Sequence, residues 1–129
     1  SIGCQAILRY LERLLAGVRV GGAVFVGGFF MLTGLETEED KEVAEPWLST
    51  PIDCAKVIEH TRSLVAIFSD DDEFVPLENK VLFEERLGAE TIVEHQKGHF
   101  CKSDGVTELP SALTAVLGLS GLEVKGSKP

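Results

Sequence analysis

The chain has 129 residues, 44% of them hydrophobic, which is enough for one domain with a real core. Its formal net charge is −9 and its pI about 4.7, a field that turns away nucleic acid and anionic membrane and says little about a small neutral substrate. No apolar run approaches the length that crosses a bilayer, and Cys4, Cys54 and Cys101, in no paired spacing, read as reduced thiols of a cytoplasmic protein.

Residues 4–15 place Ile7, Leu8, Leu11, Leu14 and Leu15 on one helical face and Arg9, Glu12 and Arg13 on the other, with Gly17 as a stop. Ala23-Val24-Phe25-Val26 is a short, continuously apolar run edged by glycines, the pattern of a strand buried on both faces of a parallel sheet. Residues 34–50 set Glu36, Glu38, Glu39, Asp40, Glu42 and Glu45 against the single base Lys41. They read as a solvated surface loop with a short helix, or functionally as a flap over a site. Thr50-Pro51-Ile52-Asp53 predicts a helix start, with Thr as the cap and Pro at the first helical position, and a helix running to about His60. Residues 64–68 form the second strand and 77–87 a helix closed by Gly88. Residues 90–94 form the third strand and 109–117 the last helix. Residues 120–129 read as a disordered tail.

Helix first, then strand and helix three times, predicts an α/β layer with a parallel sheet. Three strands are few for a doubly covered sheet, and both outer strands would expose an edge. That is a physical hint of strands outside this sequence.

Two loops carry the chemistry. After the second strand comes Ser69-Asp70-Asp71-Asp72-Glu73-Phe74-Val75-Pro76, and after the third comes Gly98-His99-Phe100. Asp72, just past a buried strand, can orient an imidazole and stabilise its charged form, while Asp70 and Asp71 read as solvated turn or capping acids. As a cluster the three also fit a hard cation such as Mg²⁺, with no basic residue near in sequence to mark a phosphate site. His99 is the candidate base, and His60 and His95 read as surface residues. The chain opens Ser1-Ile2-Gly3 directly before a patterned helix, so Ser1, Asp72 and His99 follow the chain order of the α/β-hydrolase triad. Cys4 and Cys101 lie near Ser1 and His99, and a Cys–His nucleophile is the less favoured alternative to inert thiols. No Cys/His spacing supports zinc, and Gly27-Gly28 lacks the spacing and the Lys of a phosphate loop, so no cofactor is expected.

The segments 1–11, 24–29 (Val-Phe-Val-Gly-Gly-Phe), 69–76 and 98–100, in this order and spacing, resemble the small serine hydrolases of α/β-hydrolase fold that include retinoblastoma-binding protein nine and its bacterial relatives. The resemblance runs over residues 1 to about 119. It implies the C-terminal two-thirds of a single α/β-hydrolase domain, with a three-layer αβα architecture. The family's first strands and its other oxyanion donor then lie outside this sequence. It implies Ser1 as nucleophile, Asp72 as acid, His99 as base, and the Ile2 backbone N–H as half of the oxyanion hole.

The expected activity is therefore that of a carboxylesterase-like serine hydrolase acting on a small ester or amide. The alternative is a non-catalytic hydrolase-like module that binds a protein partner through the acidic 34–50 segment and Trp47. Open sheet edges also make a dimer an expectation.

Overall fold

Leu64–Ser69 carries six consecutive buried residues and forms the middle strand of a three-stranded, all-parallel sheet. The computed structural model describes residues 1–121. Along them run α1 (Ile2–Glu12), β1 (Ala23–Val26), α2 (Glu38–Ser49), α3 (Cys54–Glu59), β2 (Leu64–Ser69), α4 (Glu78–Leu87), β3 (Glu90–Glu94) and α5 (Pro110–Leu119), with a 3-10 turn at Lys102–Asp104. The sheet order is β1-β2-β3, with Phe25 opposite Ala66 and Ile67 opposite Ile92. β2 lacks alternation because both its faces are covered. Leu64, Ala66 and Phe68 join Phe25 in a core closed by Leu8 and Leu11 of α1, Val57 of α3, and Phe83 and Leu87 of α4. α5 packs across β1 and β2 on the opposite face, where Val65 and Ile92 line a groove with Ser111, Thr114 and Ala115. The architecture is the expected αβα layering, a parallel sheet between helices.

Phe83 is the hub of that core. Its ring meets Phe25 at 5.6 Å, Phe30 at 4.9 Å and Phe68 at 5.5 Å, all tilted or edge-on as the ring quadrupoles prefer. Gly28 lets this happen: a Cβ there would lie 2.7 Å from the Phe83 ring. The loop after β1 is then fixed by fully buried Asn79. Its Oδ1 accepts from the Phe30 and Met31 amides at 2.8 and 3.0 Å, and its Nδ2 donates to the Met31 and Pro76 carbonyls.

Several expectations need correction. α1 ends at Glu12, and its inward face is Cys4, Gln5, Leu8 and Leu11; Ile7 and Leu15 are exposed. Gln5 turns inward because its Nε2 donates to the Phe29 carbonyl at 2.8 Å, which an apolar residue could not do. Residues 38–49 are a full twelve-residue helix, where a surface loop with a short helix was expected. Thr37 caps it by accepting from the Asp40 amide at 3.0 Å, and Glu38, Glu39 and Asp40 place their charge at the positive end of the helix dipole. Thr50 therefore ends α2 instead of starting α3, which Asp53 caps through the Lys56 amide. Trp47 is half-buried, with the Arg9 guanidinium over its ring at 5.5 Å. His60 is buried, its Nδ1 2.7 Å from the Val18 carbonyl. α5 extends to Leu119, and Ser120 and Gly121 continue as a turn; the remainder of the expected disordered tail, 122–129, lies outside the described residues. Among the described residues no helix is long and apolar enough to cross a membrane.

Candidate active site

Parallel strands deliver their C-terminal ends to one side of the sheet, and ligand sites of open α/β sheets form there. All three candidate residues lie on that side. Ser1 stands at the head of α1, its nitrogen 3.3 Å from the carbonyl of Val26 at the end of β1. Asp72 follows β2 and His99 follows β3.

Asp72 and His99 are joined. His99 Nδ1 lies 2.8 Å from Asp72 Oδ2; the Asp72 side chain is 1% exposed and that of His99 19%. The other carboxylate oxygen accepts from the Phe74 and Val75 amides at 3.0 and 3.1 Å. Burial works against the charged carboxylate, but the hydrogen bond from His99, the two amides and the imidazole charge together outweigh it. They hold Asp72 below its ordinary value. An ionised Asp72 can only accept, so Nδ1 carries the hydrogen and Nε2 is left as the basic nitrogen. The Phe74 ring packs edge-on against the imidazole at 5.5 Å and limits its rotation.

The loop that carries His99 is caught by side chains at four consecutive amides. The Gln96 N–H donates to Asp70 Oδ1 at 2.9 Å and the Lys97 N–H to Ser69 Oγ at 3.0 Å. The Gly98 N–H donates to Asp71 Oδ1 at 2.8 Å and the His99 N–H to Asp104 Oδ2 at 3.0 Å. Ser69 Oγ passes its own hydrogen to Asp71 Oδ1 at 2.8 Å. Gly98 has φ +55 and a Cβ there would sit 2.5 Å from the Asp104 carboxylate, so glycine is required twice over. His95 Nδ1 also meets Asp70 Oδ2, at 2.7 Å.

These bonds revise the reading of the acidic run. Asp70 and Asp71 are not idle turn acids but fasten the loop of the imidazole, and Asp104 and Ser69 join them. The signal lay in three carboxylates at one strand end facing a Gly-His loop at the next. The three accept from different donors and do not converge. Among the described residues no group of three His, Cys, Asp or Glu side chains could hold a metal ion, so the Mg²⁺ alternative has no site there.

Ser1 and His99 open into a common pocket of about 270 Å³, also lined by Ile2, Leu32, Leu35, Phe74 and residues of α2. No hydrogen bond among the described residues joins Ser1 Oγ to His99; such contacts are often long without substrate. Ile2 also lines the pocket, and its N–H is among the first of α1, where no intrahelical acceptor exists. A larger cleft of about 680 Å³ lies between the end of α1 and α3, but none of Ser1, Asp72 and His99 reaches it. Chemistry and not size selects the smaller one. Cys4 is buried with its Sγ 3.4 Å from the Val26 carbonyl, while Cys101 is exposed with its Sγ toward the His99 carbonyl rather than the ring.

A family model described as serine hydrolase matches residues 1–117. YdeN of Bacillus subtilis, a protein named as a candidate hydrolase, is 30% identical over 110 residues, covering 85% of this chain and 55% of that protein. The crystal structure of the ydeN gene product from the same organism matches with a TM-score of 0.79 at 27% identity, over 94% of this chain and 62% of that one. The chain thus spans little more than half the length of the curated relative it matches.

Proposed function

The chain belongs to the serine hydrolase family, and from that premise we propose that it hydrolyses small esters by nucleophilic catalysis at Ser1, with His99 as base and Asp72 as its orienting acid. The 2.8 Å bond between His99 Nδ1 and Asp72 Oδ2, at the edge of a pocket that Ser1 shares, carries this reading.

Asp72 fixes the tautomer, so His99 Nε2 is the atom that takes the Ser1 proton as Oγ attacks the acyl carbon. The carbonyl π pair moves to oxygen, and the Ile2 N–H at the positive end of α1 is one donor to that oxyanion. The imidazolium then returns the proton to the leaving oxygen as the acyl–oxygen bond breaks. Water repeats the sequence on the acyl-serine and frees the acid. One oxyanion donor is worth roughly 2.7–4 kcal/mol of transition-state stabilisation, so the Ile2 N–H alone supplies part of what such catalysis uses. Amides are a harder version of the same substrate class. Carboxylesterase-like action is the natural first assay.

A fluorophosphonate probe tests the mechanism. We expect one adduct, at Ser1, in the unmodified protein and none after Ser1→Ala. Labelling that persists in Ser1→Ala would sink the assignment. A protein that takes no adduct, hydrolyses nothing and still binds a protein partner after His99→Ala would favour the non-catalytic binding module.

A further inference from the structure

We infer that the pocket beside Ser1 takes a compact aliphatic acyl group without negative charge, and that Glu39 and Asp40 of α2 turn away acyl chains ending in a carboxylate. This deepens the proposed function and rests on Ser1 being the nucleophile.

The lining divides cleanly by chemistry. Ile2, Leu32, Leu35, Val43, Ala44 and Phe74 are apolar. The polar members are Ser1 and His99, which the reaction occupies, and the carboxylates of Glu39 and Asp40. Among the described residues no Lys or Arg lines the pocket, so an anionic acyl end meets two like charges and no counter-ion from them. The base next in sequence, Lys41, does not line the pocket and pairs on the surface with Glu38 at 3.4 Å. Arg9 lies at the other end of α2, on the Trp47 and Thr50 carbonyls. The space, about 270 Å³, is smaller than the usual drug-sized cleft, which fits a short chain rather than a long one.

Acids in a first helical turn also stabilise the helix, and Glu39 and Asp40 share that role with Glu38. Helix stabilisation acts on all substrates alike. Charge exclusion acts on one class, so a ratio separates the two.

The experiment compares p-nitrophenyl butyrate with p-nitrophenyl hemisuccinate, in which a carboxylate replaces the terminal methyl. The readout is the ratio of their kcat/KM values in the unmodified protein and in Glu39→Gln/Asp40→Asn. We expect butyrate to be favoured at least about tenfold, and the ratio to fall by about tenfold in the double variant. Raising ionic strength should narrow the ratio in the unmodified protein and barely move it in the variant. Equal rates for the two esters in the unmodified protein, or an unchanged ratio in the variant, would overturn the inference. Thermal unfolding of both proteins guards against a misfolded variant. A p-nitrophenyl hexanoate series in Val43→Ala, with the preferred chain growing longer, checks the aliphatic wall independently of charge. Fluorophosphonate labelling on the same samples separates the two layers. An adduct at Ser1 without discrimination refutes the charge selection alone. No adduct refutes the nucleophile, and the inference falls with it.

Discussion

Asp71 accepts at a single oxygen from both the Ser69 hydroxyl and the amide of Gly98, the residue before the imidazole. Asparagine there keeps the shape but not the charge that both donors face. Charged hydrogen bonds are about twice as strong as neutral ones. Asp71→Asn should therefore lower kcat/KM for a small ester by about tenfold, mainly through kcat, because His99 loses its seat while the acyl pocket is untouched. An unchanged kcat would show that the loop holds its place without that charge. Asp70 and His95 form a more exposed pair. Asp70 is held below its ordinary value by the Gln96 amide first and the His95 ring second, and His95 is raised by its bond to Asp70, by the Asp70 charge and by Glu94. A raised folded-state value means that the histidine's contribution is complete below its ordinary 6.5 and is lost as pH rises through the folded value above that. The melting-temperature gap between the unmodified protein and His95→Asn should thus be widest in mild acid, close at alkaline pH, and shrink in high salt. A gap independent of pH would remove the charge from the account.

At the scale of elements, α2 decides the shape of the pocket, and Arg9 of α1 holds α2. One Arg9 nitrogen donates to the Gln5 side chain and to the Trp47 and Thr50 carbonyls at 3.0, 3.1 and 2.9 Å, and the guanidinium lies over the Trp47 ring. A cation at a helix C-terminus also meets the negative end of its dipole. The Arg9 Nε is buried without a partner, so the side chain's position is set by its outer nitrogen and the stack. Arg9→Ala should raise KM severalfold with a smaller loss in kcat, and cost about 1–3 kcal/mol in unfolding free energy. Arg9→Lys should not rescue it, since a point charge cannot both stack and donate along a plane. A kcat loss exceeding the KM change would mean that α1 itself, with Ser1 at its head, had moved. The sequence held the signals for α2: Thr37 before three acids, and Pro46 near the end. They were masked by the excess of acids, which reads as a solvated loop when the wall they form is out of view. β1 and β2 were legible almost to the residue, because a short apolar run between glycines or polar turns has few other uses, and β3 because the β-branched Thr91, Ile92 and Val93 follow the Gly88 that closes α4. The inward face of α1 was not, because Gln5 and Cys4 turn inward for the Phe29 and Val26 carbonyls, and those partners lie in a loop that periodicity does not reach.

Over the whole molecule, charge and stability meet at the C-terminal edge of the sheet. The pairing of Asp72 with His99 was legible because each lies just past a recognisable strand; Asp104 was not, since nothing local ties it to an amide five residues earlier. The chain carries a net charge of −9 at neutral pH, and that charge approaches zero near a pI of 4.7. Relief of self-repulsion alone would make the protein most stable there. Asp72 acts the other way. Its folded value lies below the ordinary 3.8, so its contribution is present above 3.8 and is lost as pH falls through the folded value. Asp70, likewise lowered, adds in the same direction from an exposed position. The expected profile in urea unfolding is flat or gently rising from neutral pH to the pI, then falling steeply below about 3.8. Asp72→Asn should be less stable at neutral pH and show a shallower acid fall, because its partner no longer depends on a carboxylate charge. If the variant falls as steeply as the unmodified protein, the acid sensitivity belongs to other carboxylates. Asp72 would then serve to orient the imidazole without anchoring the fold.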